Sequence, residues 1–212
     1  MNPKQIIAQK VASHIEPYAV INLGIGIPTL VPNYLEEGDY YFHTENGLLG
    51  VAELDEANVD PQLVNAGKLP VGEDIGASYF HSADSFAMIR GGHIDVAILG
   101  ALQVDSKGRI ANWAIPGKDI VGVGGAMDLL EGAKQVIVTM LHTSKDGDQK
   151  LLDECTFPIT SERVADLIIT ERATFKWQED HYELIEVSEG YTLQDIEQST
   201  SLQYTISPLL KE

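Results

Sequence analysis

Apolar positions recur along this chain at two different spacings. Ile7, Val11 and Ile15 lie four residues apart behind Pro3, which predicts an opening helix with proline in its first turn. Ala19-Val20-Ile21-Asn22-Leu23-Gly24 is a short apolar run of buried-strand type, and Pro28 after Gly26 predicts a helix to about Glu36-Glu37, stopped by Gly38. Tyr40-Tyr41-Phe42-His43 reads as a short aromatic strand. Ser82 is placed to cap a helix with Asp84 in its first turn, carrying Phe86, Met88 and Ile89 and ending at Arg90-Gly91-Gly92-His93. Ile94–Leu99 and Val136–Leu141 are further strands, and between them Met127–Leu130 is a helix entered from Gly124-Gly125. Leu167–Ile169, Ala173–Trp177 and Tyr182–Val187 are closely spaced strands, and Thr192-Leu193-Gln194-Asp195 fits a capping box opening a last helix. Strands alternating with short helices predict an α/β fold, a mostly parallel sheet flanked by helices, with an antiparallel edge in the tail. No linker, repeat or composition break divides it, so residues 1–212 are expected to form a single domain.

Composition narrows the partners. Fourteen basic residues against thirty-two acidic ones give a formal charge of −18, which argues against nucleic acid or an anionic membrane as partner. An anionic substrate must then be met by local positive potential. Cys155 is the only cysteine, no apolar run approaches a membrane span, and residues 1–10 do not resemble a signal peptide. The cytoplasm is the expected compartment. The six histidines lack ligand spacing, so no metal site is expected.

The candidate chemistry sits in turns and glycine loops. Thr44-Glu45-Asn46-Gly47 puts a carboxylate where a strand ends, the rim at which open α/β folds form clefts. Asn-Gly is equally a hairpin turn, beside which a glutamate is usually solvated. Gly24-Ile25-Gly26-Ile27-Pro28 lacks the third glycine of a dinucleotide fingerprint, so Gly24 and Gly26 read better as points of close ligand approach to main chain. Gly122-Val123-Gly124-Gly125 could cradle a phosphate or an oxyanion, or be a plain tight connection. Lys68, after Asn65-Ala66-Gly67, is either solvated or an anion holder. Asn112-Trp113 offers hydrogen bonding and stacking, with Trp113 equally suited to filling core or interface.

Taken in order, these segments resemble the β subunit of the family I CoA-transferases, the group of the acetate, butyrate–acetoacetate and succinyl-CoA:3-oxoacid enzymes. The resemblance runs from Asn22-Leu23-Gly24-Ile25-Gly26-Ile27-Pro28-Thr29 to Ile206-Ser207-Pro208. It is most specific in Glu45-Asn46-Gly47-Leu48-Leu49-Gly50, Val64-Asn65-Ala66-Gly67-Lys68, Ser85–His93, Ala111-Asn112-Trp113 and Gly124–Asp128. It implies that Glu45 is the nucleophile of a ping-pong transfer through an enzyme glutamyl-CoA thioester, with Gly125 donating to the oxyanion and Gly124 allowing close approach. It further implies that Asn22 and Lys68 orient Glu45 and offset charge, and that Asn112 and Trp113 shape the CoA-facing loop. Coenzyme A is a substrate here and no separate cofactor is implied. The partners it implies are acyl-CoA, small carboxylic acids and an α subunit, in an α2β2 assembly.

The chain departs from that pattern twice. His43-Thr44 stands where the family usually has Gln-Ser, and Val51–Pro61 lacks the usual Gly-Pro-rich form and carries Glu53, Asp55, Glu56 and Asp60. The second departure leaves the exchanged acids open. Sugar-phosphate isomerases and ligand-sensing regulators use the same fold type. An isomerase would need a base in enediol geometry, and a sensor or interaction subunit would have no need of Glu45.

Overall fold

The computed structural model describes residues 2–35, 39–57, 59–65, 67–118, 120 and 122–211. Helix α1 (Pro3–Ala12) opens with a capping box: the Asn2 side chain accepts from Lys4 N and the Gln5 side chain accepts from Asn2 N. Ile7, Ala8 and Val11 are its buried stripe. Strand β1 (Val20–Leu23) follows, then a 3₁₀ segment, Ile27–Tyr34, where the sequence predicted an α-helix. Pro32 explains the difference, because it lacks the amide an α-helical ladder needs there and crowds the preceding turn. The predicted end of that helix, Glu36 to Gly38, lies outside the described residues.

Strands β2 (Tyr41–Thr44), β3 (Leu48–Ala52) and β4 (Gly72–Tyr79) come next, followed by helix α2 (Ser82–Arg90). His81, not Ser82, caps α2: its Nδ1 accepts from Ala83 N at 3.1 Å, and Ser82 is the first helical residue. Beyond it lie β5 (Val96–Gly100), β6 (Gln103–Asp105), β7 (Ile110–Ala111), helix α3 (Ala126–Gly132), β8 (Gln135–Thr139) and β9 (Leu151–Leu152). The chain finishes with β10 (Leu167–Ile169), β11 (Ala173–Trp177), β12 (Tyr182–Val187), α4 (Leu193–Ser199) and β13 (Tyr204–Lys211). The predicted Thr192–Asp195 capping box opens α4.

Ten strands make one sheet in the order β13-β12-β11-β10-β8-β5-β1-β2-β3-β4. Its centre, β10-β8-β5-β1-β2, is parallel, and it turns antiparallel on both sides, at β11 and at β3. The predicted antiparallel tail is there, although β13 returns to pair with β12 in parallel. Central strands are apolar on both faces, as double coverage requires. Ile21, Ile98, Ile137 and Ile169 pack toward α1, while Leu99, Val136, Val138 and Ile168 pack toward α2 and α3. Past the end of β8, buried His142 lies 2.9 Å from both Thr170 Oγ1 and Thr200 Oγ1, joining three distant segments.

Candidate active site

The parallel centre aligns the carboxyl ends of β1, β2, β5 and β8 along one rim, where ligand crevices form in open α/β sheets. An open cleft of about 1000 Å³ lies there. Glu45, Gly124, Gly125, Gly24, Gly26, Lys68 and Asn112 all line it, so seven residues drawn from separated stretches of sequence meet in one place.

Glu45 follows β2 directly, and its turn is also a hairpin: Thr44 pairs with Leu48 and His43 with Leu49 across β2 and β3. The turn is thus both the rim position and the hairpin that the sequence offered, but the glutamate beside it is not solvated. Gly47 is required twice, since its φ is +116° and a Cβ there would lie 2.0 Å from the Phe80 carbonyl oxygen. Gly47 N donates to Thr44 O at 3.1 Å and Phe80 N donates to Gly47 O at 3.0 Å, closing the turn. Asn46 Nδ2 donates to Val64 O at 2.8 Å, tying the turn to the loop that carries Lys68.

The Glu45 carboxyl is pushed above the usual carboxylate range, chiefly by burial, with its own backbone amide and the Asn22 side chain opposing. Its Oε2 is buried without a hydrogen-bond partner. Gly125 lies against it: a Cβ at Gly125 would stand 3.0 Å from Glu45 Cγ and 3.3 Å from Oε1. Such unpaired buried polar atoms are rare in native structures and mark functional or strained sites.

Asn22 is the exception among the expected binding residues. It is fully buried behind the cleft wall, and its Nδ2 donates to His43 Nδ1 at 3.1 Å and to His43 O at 3.2 Å. Its position on β1, paired with His43 on β2, puts it beneath the Glu45 turn rather than in the open cleft. Lys68 holds a left-handed conformation with φ of +62°, uncommon for a residue with a side chain. Asn65 supports it, since Asn65 O accepts from Lys68 N and Asn65 Oδ1 accepts from the neighbouring Gly67 and Leu69 amides. Asn112 is braced by Thr160, whose Oγ1 donates to Asn112 Oδ1 at 2.8 Å. Trp113 does not line the cleft, and its indole donates to Ile159 O at 3.4 Å, the filling role its sequence also allowed.

Sequence reasoning passed over Lys4, Phe86 and Lys150, which also line the cleft. Lys150 donates to Ala101 O at 3.3 Å, and burial lowers its pKa to about 8. No local pattern marks it, because only the fold brings the end of β8 and the segment before β9 to the rim. Lys4, Lys68 and Lys150 face a single acidic side chain, Glu45, among the described lining residues. The cleft is thus locally cationic in a chain of net charge −18. Among the described residues no group of three or more His, Cys, Asp or Glu is placed to hold a metal ion, and no helix is long and apolar enough to cross a membrane.

Comparison with known proteins gives this geometry its context. The sequence model described as "Coenzyme A transferase" matches residues 4–199, and the chain belongs to that family. It is 44% identical over 208 residues to the beta subunit of the acetate CoA-transferase of Escherichia coli K12, covering 98% of this chain and 95% of that protein. It is 45% identical over 204 residues to one subunit of the succinyl-CoA:3-ketoacid coenzyme A transferase of Helicobacter pylori J99, covering 96% of this chain and 99% of that protein. Among solved structures, the acyl-CoA transferase YdiF of E. coli O157:H7 superposes with a TM-score of 0.80 at 27% identity for its apoenzyme, over 99% of this chain and 43% of that one. Its thioester complex with CoA superposes at 0.74 and 25% identity, over 100% of this chain and 43% of that one.

Proposed function

We propose that this chain is the β-type half of a CoA-transferase and that Glu45 is its nucleophile. The observation that carries the reading is the Glu45 carboxylate, desolvated and with one oxygen free of hydrogen bonds, set against Gly125 in a cationic cleft. A carboxylate taken out of water is a better nucleophile than a fully solvated one, and lysines offset the charge of a polyanionic coenzyme.

The reaction runs in two matched halves. Glu45 Oε2 attacks the thioester carbonyl of an acyl-CoA, and the C–S bond breaks to give an acyl–glutamyl anhydride and CoA thiolate. The thiolate attacks the glutamyl carbonyl, releasing the first acid as its carboxylate and leaving a glutamyl-CoA thioester. A second carboxylate reverses these steps and leaves as the new acyl-CoA. Each attack develops an oxyanion, and the Gly125 amide is the donor for it; one donor of this kind is worth roughly 3 kcal/mol. Gly24, Gly26 and Gly124 let CoA approach main chain, Lys68 and Asn112 flank it, and Asn22 acts from beneath the turn.

The substrates in this reading are short-chain carboxylic or 3-oxo acids, the chemistry named for both bacterial relatives. YdiF captured as a thioester with CoA supports the covalent route. The β-type designation of the acetate enzyme's subunit supports an α partner, and α2β2 is the assembly we infer. Ile25 and Leu69, exposed beside the cleft, suit a partner surface closing over it. Residues 1–212 then act as one domain of the pair, in the cytoplasm, with coenzyme A as substrate and no further cofactor. A ligand-sensing or interaction subunit would share the fold but gives no reason for a desolvated carboxylate.

The test pairs the chain with its α-type partner, adds acetyl-CoA or acetoacetyl-CoA, and quenches with hydroxylamine, which converts a glutamyl thioester into a hydroxamate. Peptide mass spectrometry is expected to find the hydroxamate on Glu45 and on no other residue. An unmodified Glu45, with full activity in Glu45→Ala, would sink the mechanism.

A further inference from the structure

The glutamate that reacts is held by a chain of hydrogen bonds that starts two residues before it. Asn22 Nδ2 donates to the His43 carbonyl, which can only accept, and this fixes the amide's orientation. The same Nδ2 donates to His43 Nδ1, so the ring proton sits on Nε2. Nε2–H then donates to Ser85 Oγ at 2.9 Å, and Ser85 Oγ–H donates to Thr44 O at 3.2 Å. Thr44 O belongs to the peptide that carries the Glu45 amide, and the turn's own Gly47 N–H holds it from the other side.

Three elements are thereby joined: β1 through Asn22, β2 through His43 and α2 through Ser85. All three side chains are buried, with exposures of 0%, 2% and 0%. The ring also stacks on Phe80, centroids 6.0 Å apart and planes 17° from parallel, and Phe80 is the residue that closes on Gly47. A purely packing role would not need two committed ring nitrogens, and an apolar side chain of that size would avoid burying them.

We propose that His43 is a positioning residue for the transfer reaction, holding the Thr44–Glu45 peptide through Ser85 and Asn22 through its Nδ1. It touches neither substrate nor the reacting atoms. The imidazole is held neutral, its pKa lowered by burial to about 4, so the donor–acceptor direction of the chain is constant at working pH. A glutamine offers the same two functions, one acceptor and one donor, whereas phenylalanine keeps the ring volume and the stacking but offers neither.

This inference rests on Glu45 being the nucleophile, and the experiment separates the two. His43→Phe, His43→Gln, Ser85→Ala and the double variant His43→Phe/Ser85→Ala are each assembled with the α-type partner. Their kcat, their KM for acyl-CoA and their initial rate of Glu45 hydroxamate formation are measured, normalised to folded protein by circular dichroism. His43→Phe is expected to lose about 100-fold in kcat with KM changed less than threefold, the scale of a small misplacement of a reacting group. Ser85→Ala falls in the same direction, and the double variant is no slower than His43→Phe, because both cut one chain. His43→Gln recovers to within about threefold of the parent.

Parental kcat in both His43→Phe and Ser85→Ala overturns the inference, as does a His43→Gln as slow as His43→Phe or a double variant with fully additive losses. If His43→Phe does not fold, Ser85→Ala and His43→Gln decide it by the same criteria. Absence of the Glu45 adduct in the parent overturns the nucleophile reading itself, whatever the variants do.

Discussion

Gly125→Ala adds one methyl group directly against Glu45, the proposed nucleophile. Its Cβ would lie 3.0 Å from Glu45 Cγ, 3.3 Å from Oε1 and 3.4 Å from Phe86 Cζ. Non-bonded carbons rest at about 3.5–4.0 Å, so Glu45 must retreat by several tenths of an ångström up to about 1 Å. The backbone gives no reason for resistance: Gly125 has φ of −85°, open to any residue, and its carbonyl still accepts from Leu129 N at 3.0 Å. The displacement therefore falls on the carboxylate. A misplacement of about 1 Å can reduce a rate by 10²-fold, which is about 2.7 kcal/mol of barrier. The assay measures kcat of the assembled enzyme, the rate of Glu45 hydroxamate formation and the thermal midpoint of the isolated chain. Activity and adduct formation should fall together by about 100-fold while the midpoint moves by no more than a few degrees. Parental turnover would show that Glu45 does not react beside Gly125. An activity loss matched by an equal loss of folded protein would refute the local account.

Gly47→Ala should behave in the opposite way. Its Cβ would lie 2.0 Å from Phe80 O at a φ of +116°, so urea unfolding should show a loss above about 3 kcal/mol, and an unchanged midpoint contradicts the hairpin geometry. Acidification should destabilise the isolated chain as pH falls from about 6.5, where unfolded histidine takes up its proton, toward about 4 for His43 and about 3 for His142. His43 alone corresponds to about 3 kcal/mol over that window, at 1.36 kcal/mol per unit. The stability of His43→Gln should fall less steeply with acid, and an identical slope in parent and variant refutes a neutral buried ring. Lys150 has the same sign in a higher window, because its folded pKa is also lowered. Burial penalises its ammonium below about 8, and the penalty fades as pH rises toward the unfolded value near 10.5. Lys150→Met should thus raise the thermal midpoint at pH 7 and lose that gain by about pH 10, whereas a lower midpoint at pH 7 refutes a net burial penalty that outweighs Glu171 and the Ala101 carbonyl.

The parallel centre was legible because doubly covered strands read as apolar runs. Ile94–Leu99 and Val136–Leu141 lie within two residues of β5 and β8. The edges were not legible. β4 is exposed along nearly its whole length and carries no alternation to read, and β13 sits on the opposite edge with Pro208 inside it. The 3₁₀ segment was misread because Pro28 suits a helix start, while Pro32 four residues on forbids its continuation. The ends of the site were visible as turn and glycine chemistry, since Glu45, Lys68 and Gly125 each lie beside a backbone that needs special freedom. Asn22 was found only through family resemblance, because an asparagine inside an apolar run has no local sign of its partner. Lys150 was missed for the same reason: its place depends on strand order, which no sequence window contains.

The sheet changes direction at β2, and Glu45 occupies the point of change. On one side, β1, β5 and β8 are locked by crossovers and by apolar packing on both faces, so altering any of them disturbs the register of the rest. On the other side, β3 and β4 form an antiparallel flank, with Glu53, Asp55, Glu56 and Asp60 in the sequence that connects them. The strand that ends at Glu45 is thus held by the doubly packed centre on one side and borders only a two-strand antiparallel flank on the other.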